Sequence, residues 1–142
     1  MRDFGECERP SRKPEIVVRE RGCRFVVKNR KRISVRIVEI DDCVLTEGLR
    51  CDWLFVATGN PTEIYVELKG SDIGHAIEQI KATIPEVSED ERSVPKHCYI
   101  VGRRVPPGVR TQVQLSRIRF RRAYNAVLTV KNKVAEHTLG TT

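Results

Sequence analysis

The sequence predicts a single α/β domain, and three observations carry that prediction. The chain has 142 residues; a domain takes roughly 100–200, which leaves room for one core and none for a two-domain enzyme with a Rossmann half. Short runs rich in Val, Ile and Phe, bounded by Gly, Pro and Asp, mark strands. One run with apolar residues at helical spacing lies between two apolar strands, and a right-handed crossover through it would set those strands parallel. At 39% apolar and 32% charged, the chain is polar for a globular protein yet too rich in Val, Ile and Leu to be disordered.

Each element has its own warrant. Residues 1–14, with Pro10, Pro14 and mixed charge, predict a flexible basic arm ahead of one domain over 15–142. Ile16-Val17-Val18 and Cys23 to Val27 flank Arg21-Gly22, which predicts a hairpin. From 32 to 40, Ile33, Val35 and Ile37 alternate with polar residues before Val38 and Ile40 bury the other face, and Asp41-Asp42 turns the chain. Val44-Leu45 continues briefly before the next turn at Glu47-Gly48. The 52–57 run is apolar on both faces after Asp52, so it predicts a central strand covered twice. Gly59-Asn60-Pro61 then breaks it, and 64–69 returns as a strand ending at Gly70. A hairpin symmetric about Gly59-Asn60 sets Asp52 beside Glu67.

Next, Ser71 or Asp72 offers an N-cap, and Ile73, Ala76, Ile77, Ile80 and Ile84 form one apolar stripe that Pro85 ends. Residues 86–95 form an acidic loop and 97–103 another buried strand. Residues 110–124 predict a helix with Leu115 and Ile118 inward, although Val113, Gln114 and Leu115 also fit a strand. A last strand covers 126–131.

The net charge of +7 and pI ≈ 9.4 point to an anionic partner. Its distribution says more, since residues 1–36 carry +7, residues 37–95 carry −9 and residues 96–133 carry +10. An acidic centre between basic flanks suits an enzyme that holds a cation on carboxylates and a phosphodiester backbone on Arg and Lys. Five cysteines without a Cys-x-x-Cys pair exclude zinc spacing and predict reduced thiols in a cytoplasmic protein, most of them small core residues. His97 and Cys98, adjacent in one strand, lie on opposite faces and make no catalytic pair. No apolar run approaches the ~18 residues that span a bilayer, so no membrane partner is expected.

The residues that carry chemistry are Asp52, Glu67 and Lys69. In an extended strand Glu67 and Lys69 share a face, and Asp52 joins them from the neighbouring strand. Two carboxylates a few Å apart offer oxygen ligands to a hard cation such as Mg²⁺. A lysine beside them can orient an attacking water and stabilise charge on a phosphate. This pattern resembles the PD-(D/E)xK nuclease superfamily, over about residues 32–103: Cys51-Asp52, then Glu67-Leu68-Lys69 after a hairpin, then the 72–84 helix. Gln79 is similar to the glutamine of that family's Q-x-x-x-Y element, with Thr83 where the tyrosine would stand. Family members usually begin the core with a helix bearing a glutamate; residues 15–40 predict strands, which leaves Glu39 or Asp42 as substitutes.

The resemblance implies a restriction-endonuclease-like α/β fold, a central mixed β-sheet flanked by helices. It further implies a Mg²⁺-dependent nuclease (Mn²⁺ also fitting) acting on DNA before RNA, with Asp52 and Glu67 on the metal, Lys69 serving the nucleophilic water and Gln79 supporting substrate or water. Arg103 and Arg104, at the end of the 97–103 strand, and Arg117, Arg119, Arg121 and Arg122, interleaved with Phe120 and Tyr124, are the expected nucleic-acid contacts. One site per chain favours a homodimer for cutting both strands. The alternatives are a Holliday-junction-resolvase-like enzyme and a non-catalytic nucleic-acid-binding subunit with the same fold.

Overall fold

The computed structural model describes residues 2–69 and 72–140. Nine strands and two α-helices run in the order β1 (Glu8–Ser11), β2 (Glu15–Glu20), β3 (Cys23–Lys28), β4 (Val35–Glu39), β5 (Trp53–Ala57), β6 (Thr62–Lys69), α1 (Ile73–Val87), β7 (Lys96–Gly102), α2 (Arg110–Tyr124), β8 (Ala126–Asn132) and β9 (Val134–Thr138) among the described residues. Six strands form a mixed sheet in the order β1-β4-β5-β6-β7-β8, and β2-β3-β9 form a second sheet. Pairing in the large sheet is antiparallel from β1 to β6 and parallel from β6 to β8.

The expected α/β class and mixed central sheet are present, but the covering layers differ from the expectation. Both helices pack on one face, where Leu54, Tyr65, Cys98 and Ile100 meet Ile77, Ile80 and Ile84 of α1 and Phe120 of α2. The other face, with Phe55, Ile64, Val66 and Leu68, is covered by the small sheet through Ile16, Phe25 and Val27. Alternation explains the split, because successive side chains of one strand point to opposite faces. Each fully buried Leu, Ile or Phe in these layers contributes roughly 1.5–3 kcal/mol.

The two predicted hairpins form. Arg21 and Gly22 take φ 53° and 75° in the β2–β3 turn, the mirror-type geometry that two-residue hairpins favour and that glycine supplies without strain. In β5–β6, Trp53 opposes Val66 and Ala57 opposes Thr62, the register that symmetry about Gly59-Asn60 requires. The crossover through α1 sets β6 and β7 parallel. His97 and Cys98 face opposite sides, Cys98 lying in the helix-side core while the His97 ring packs at a tilt against His137, centroids 4.4 Å apart.

Several expectations are corrected. Helix α1 continues through Pro85 to Val87: at the last turn a proline removes only one backbone donor, and Ser88 N–H still reaches Ile84 O at 2.9 Å. Asp72 is the N-cap, its Oδ1 accepting the His75 N–H at 2.9 Å; Ser71 and Gly70 lie outside the described residues. In α2, Leu115 and Ile118 are 52% and 51% exposed, while Val113, Ser116 and Phe120 turn inward. Residues 8–11 of the expected arm are the edge strand β1, held by the Arg36–Glu8 ion pair at 2.6 Å. Cys7 is disulfide-bonded to Cys43, so the thiols are not all free; Cys23, Cys51 and Cys98 are free and buried. Among the described residues no helix is long and apolar enough to cross a membrane.

Candidate functional site

The β5–β6 hairpin brings Asp52 and Glu67 together. Continuing the register from Trp53 and Val66 by one residue on each strand sets Asp52 opposite Glu67. Asp52 lies just before β5 and is 4% exposed; Glu67 is 1% exposed. Asp52 Oδ2 accepts the Leu68 backbone N–H at 2.9 Å. Glu67 Oε1 is buried and has no hydrogen-bond partner.

Two carboxyl groups so buried resist ionising together. Burial, and then the charge of Asp52, push Glu67 up to about 8, against the pull of Lys69 and Arg21. Burial also pushes Asp52 up to about 6, with the Leu68 N–H and Arg21 opposing it and Glu20 and Asp41 adding to it. Lys69 closes β6 half-buried, on the same strand face as Glu67. Its backbone O accepts the Arg103 N–H at 3.0 Å, which brings the start of the Arg103-Arg104 turn to this end of the sheet.

Helix α1 fixes the segment ahead of Asp52. Gln79 Nε2 donates to Arg50 O at 2.9 Å. Thr83 Oγ1 accepts the Cys51 N–H at 2.9 Å and donates to Gln79 O at 2.8 Å. Gln79 and Thr83 therefore act together as positioning residues for Asp52. The amide N of Gln79 is committed to the backbone, and its Oε1 is the second buried side-chain oxygen without a partner.

Arg21, which the sequence marks only as a turn residue, also belongs to this end of the sheet. From the β2–β3 turn it reaches round the end of the large sheet, donating from Nη1 to Leu68 O at 2.8 Å and standing 3.6 Å from Asp52 Oδ2. Local sequence marks the turn, but nothing local tells which strand end its side chain meets.

The other named residues separate. Glu39 is exposed at the end of β4, and Asp42 is ion-paired with Arg50 at 2.9 Å, so neither joins the carboxylate pair. Arg121 and Arg122 precede Ala126, which is level with Lys96 and Glu63. That row is four residues, about 13 Å along the strands, from Glu67. Arg117 spends its Nε on Leu128 O at 3.0 Å, and Arg119 is exposed. Phe120 is fully buried and meets Tyr124 edge-on at 5.6 Å, so it has no face to offer a base. The predicted arginines thus divide between the carboxylate end, with Arg103 and Arg104, and a separate surface on α2.

The donor set fits a hard cation. Two carboxylates meet at one strand end, one with a bare buried oxygen, and their mutual repulsion is what a divalent ion relieves. Among the described residues no group of three or more His, Cys, Asp or Glu side chains gathers around one point, so further ligands would be backbone or water oxygens. No family model, curated protein or solved structure matches this chain.

Proposed function

We propose that the protein is a metal-dependent nuclease hydrolysing phosphodiester bonds in nucleic acid, DNA before RNA. The observation that carries this reading is Glu67 Oε1, a carboxylate oxygen sealed from water beside Asp52 with nothing to bond. A buried carboxyl oxygen without a partner is costly for mere structure, and an oxygen-seeking cation such as Mg²⁺ or Mn²⁺, taking the place of the proton that burial favours, satisfies it. Asp52 and Glu67 would hold that cation, which would supply Lewis-acid stabilisation of charge on a phosphate. Lys69, one strand step beyond Glu67, holds the attacking water and offers positive charge to the phosphate. Arg103 and Arg104 grip the flanking backbone, and Gln79 with Thr83 keeps Asp52 in place.

Cleavage of plasmid, linear duplex, branched and single-stranded substrates in Mg²⁺, Mn²⁺ or EDTA tests this. Expected are cation-dependent cleavage, its loss in Glu67→Ala and Lys69→Ala, and retention in Arg119→Ala, which lies on the separate α2 surface. Cleavage that survives Glu67→Ala and Lys69→Ala overturns the site. Salt-dependent binding with no cleavage of any substrate overturns the enzyme and leaves a binding subunit.

A further inference from the structure

The geometry assigns to Arg21 the role of resident counter-cation at the carboxylate pair: a divalent ion displaces its guanidinium, which then binds substrate phosphate. This rests on the nuclease reading and names a device within that same site.

Arg21 bridges two oxygens next to Glu67, donating to Leu68 O at 2.8 Å with Asp52 Oδ2 at 3.6 Å. It is held from behind. Cys23 Sγ contacts Lys69 O at 3.6 Å, and the Arg103 methylenes lie over Gly22, where a Cβ would stand 3.3 Å from Arg103 Cδ. The turn is docked, whereas the guanidinium is held by one hydrogen bond and one ion pair, both made by Nη1. Its side chain is 46% exposed against 5% for that of Asp52, so it can swing outward without opening any core. Arg21 also leaves Glu67 Oε1 unsatisfied, which makes it a partial occupant and not a fitted ion pair.

A guanidinium and a divalent cation on the same carboxylate repel each other, so each weakens the other's hold. The displaced side chain remains at the mouth of the site, where a phosphodiester must enter, and a planar five-donor fork suits phosphate better than a lysine does. Arg21 is therefore expected to oppose metal binding and to favour substrate binding. A purely structural residue moves both in one direction.

Mn²⁺ affinity is measured by calorimetry, and cleavage at saturating Mn²⁺, on the intact chain and on Arg21→Gln and Arg21→Gly. Glycine suits the left-handed backbone at this position, so that variant retains the turn even if glutamine disturbs it. Expected are Mn²⁺ binding about fivefold tighter in both variants and cleavage at least about tenfold slower, with KM for substrate raised. Arg21→Lys should leave Mn²⁺ affinity near the parent value while cleavage falls. Mn²⁺ binding unchanged or weaker in Arg21→Gln and Arg21→Gly, with the parent still binding Mn²⁺ and cleaving, overturns the Arg21 role alone. If the parent and both variants bind no more Mn²⁺ than an Asp52→Asn/Glu67→Gln double variant, the metal site falls and this role falls with it.

Discussion

Asp52 Oδ2 accepts the Leu68 backbone N–H at 2.9 Å, so a side chain completes the hairpin ladder one step beyond the Trp53–Val66 pair. The carboxylate thus serves the fold through one oxygen and the site through its charge, and two substitutions separate the roles. Asp52→Asn keeps a carbonyl oxygen for Leu68 and loses only the charge; its melting temperature should stay within a few degrees of the parent while cleavage is abolished. Asp52→Ala leaves a buried N–H unpaired, and urea melts should show about 1–3 kcal/mol lost. Equal destabilisation by both would refute the ladder role.

Glu67 predicts a pH dependence of definite sign. Its folded pKa, pushed up to about 8 by burial and by Asp52, lies above the ordinary 4.5. The folded state therefore holds a proton that the unfolded chain has released, and the resulting stability is complete below 4.5 and lost as pH rises through 8. Glu67→Gln, which stays neutral, should be more stable than the parent at pH 9, on the order of 2 kcal/mol, with the gain vanishing near pH 5. Urea titrations at the two pH values measure it, and a gain independent of pH would rule out ionisation as the cause.

The features legible in the sequence are those that local chemistry dictates. Gly59-Asn60 fixed the β5–β6 register because the turn leaves one symmetric pairing, and the register then placed Asp52 beside Glu67. The α1 stripe was legible because Ile73, Ala76, Ile77, Ile80 and Ile84 describe one face and no competing one. In α2, by contrast, Leu115 with Ile118 and Val113 with Phe120 are both helical stripes, and the one carrying the aromatic ring is the one that packs into the core. Strand β9 pairs with β3 in parallel across most of the chain, a contact without local signal, and Val134 to Thr138 is half polar. The same holds for Arg21 and for Cys7 with Cys43, whose partners are set only by the closed sheet.

The two stripes of α2 give a contrast that thermal melts can read. Phe120 is fully buried between α2 and the sheet, so Phe120→Ala should cost about 3–5 kcal/mol. Leu115→Ser and Ile118→Ser remove exposed side chains and should change stability by no more than about 0.5 kcal/mol. A large loss in either serine variant would show that this face is covered in solution.

The Cys7–Cys43 disulfide ties the segment before β1 to the turn after β4, across a separation of 36 residues. By the chain-entropy model, closing a loop of that size stabilises by about 3–4 kcal/mol. Reduction with dithiothreitol, or Cys43→Ser, should lower the urea midpoint accordingly, and amide exchange should rise first in residues 8–11, whose pairing in β1 needs the anchor. An unchanged midpoint on reduction would mean that the Arg36–Glu8 ion pair at 2.6 Å and the ladder suffice.

At the other end of the pH scale the histidine pair takes over. His137 Nδ1 lies 2.7 Å from Tyr99 Oη, its ring packs at a tilt against His97, and burial, followed by the charge of His97, lowers it to about 4. His97 is lowered too, by burial and by Arg121, so both rings, one on β7 and one on β9, stay neutral. A depressed histidine contributes stability that is present above its unfolded value near 6.5 and lost as pH falls through 4. That loss opposes the gain from Glu67 over part of the same range, so for this pair parent stability should be greatest between about pH 4.5 and 6.5. His137→Gln keeps an acceptor for Tyr99 and removes the titration. Its stability should fall less than the parent's between pH 6.5 and 4, while the limb above pH 7 stays the same. If both limbs shift together, His137 acts through packing and not through its proton.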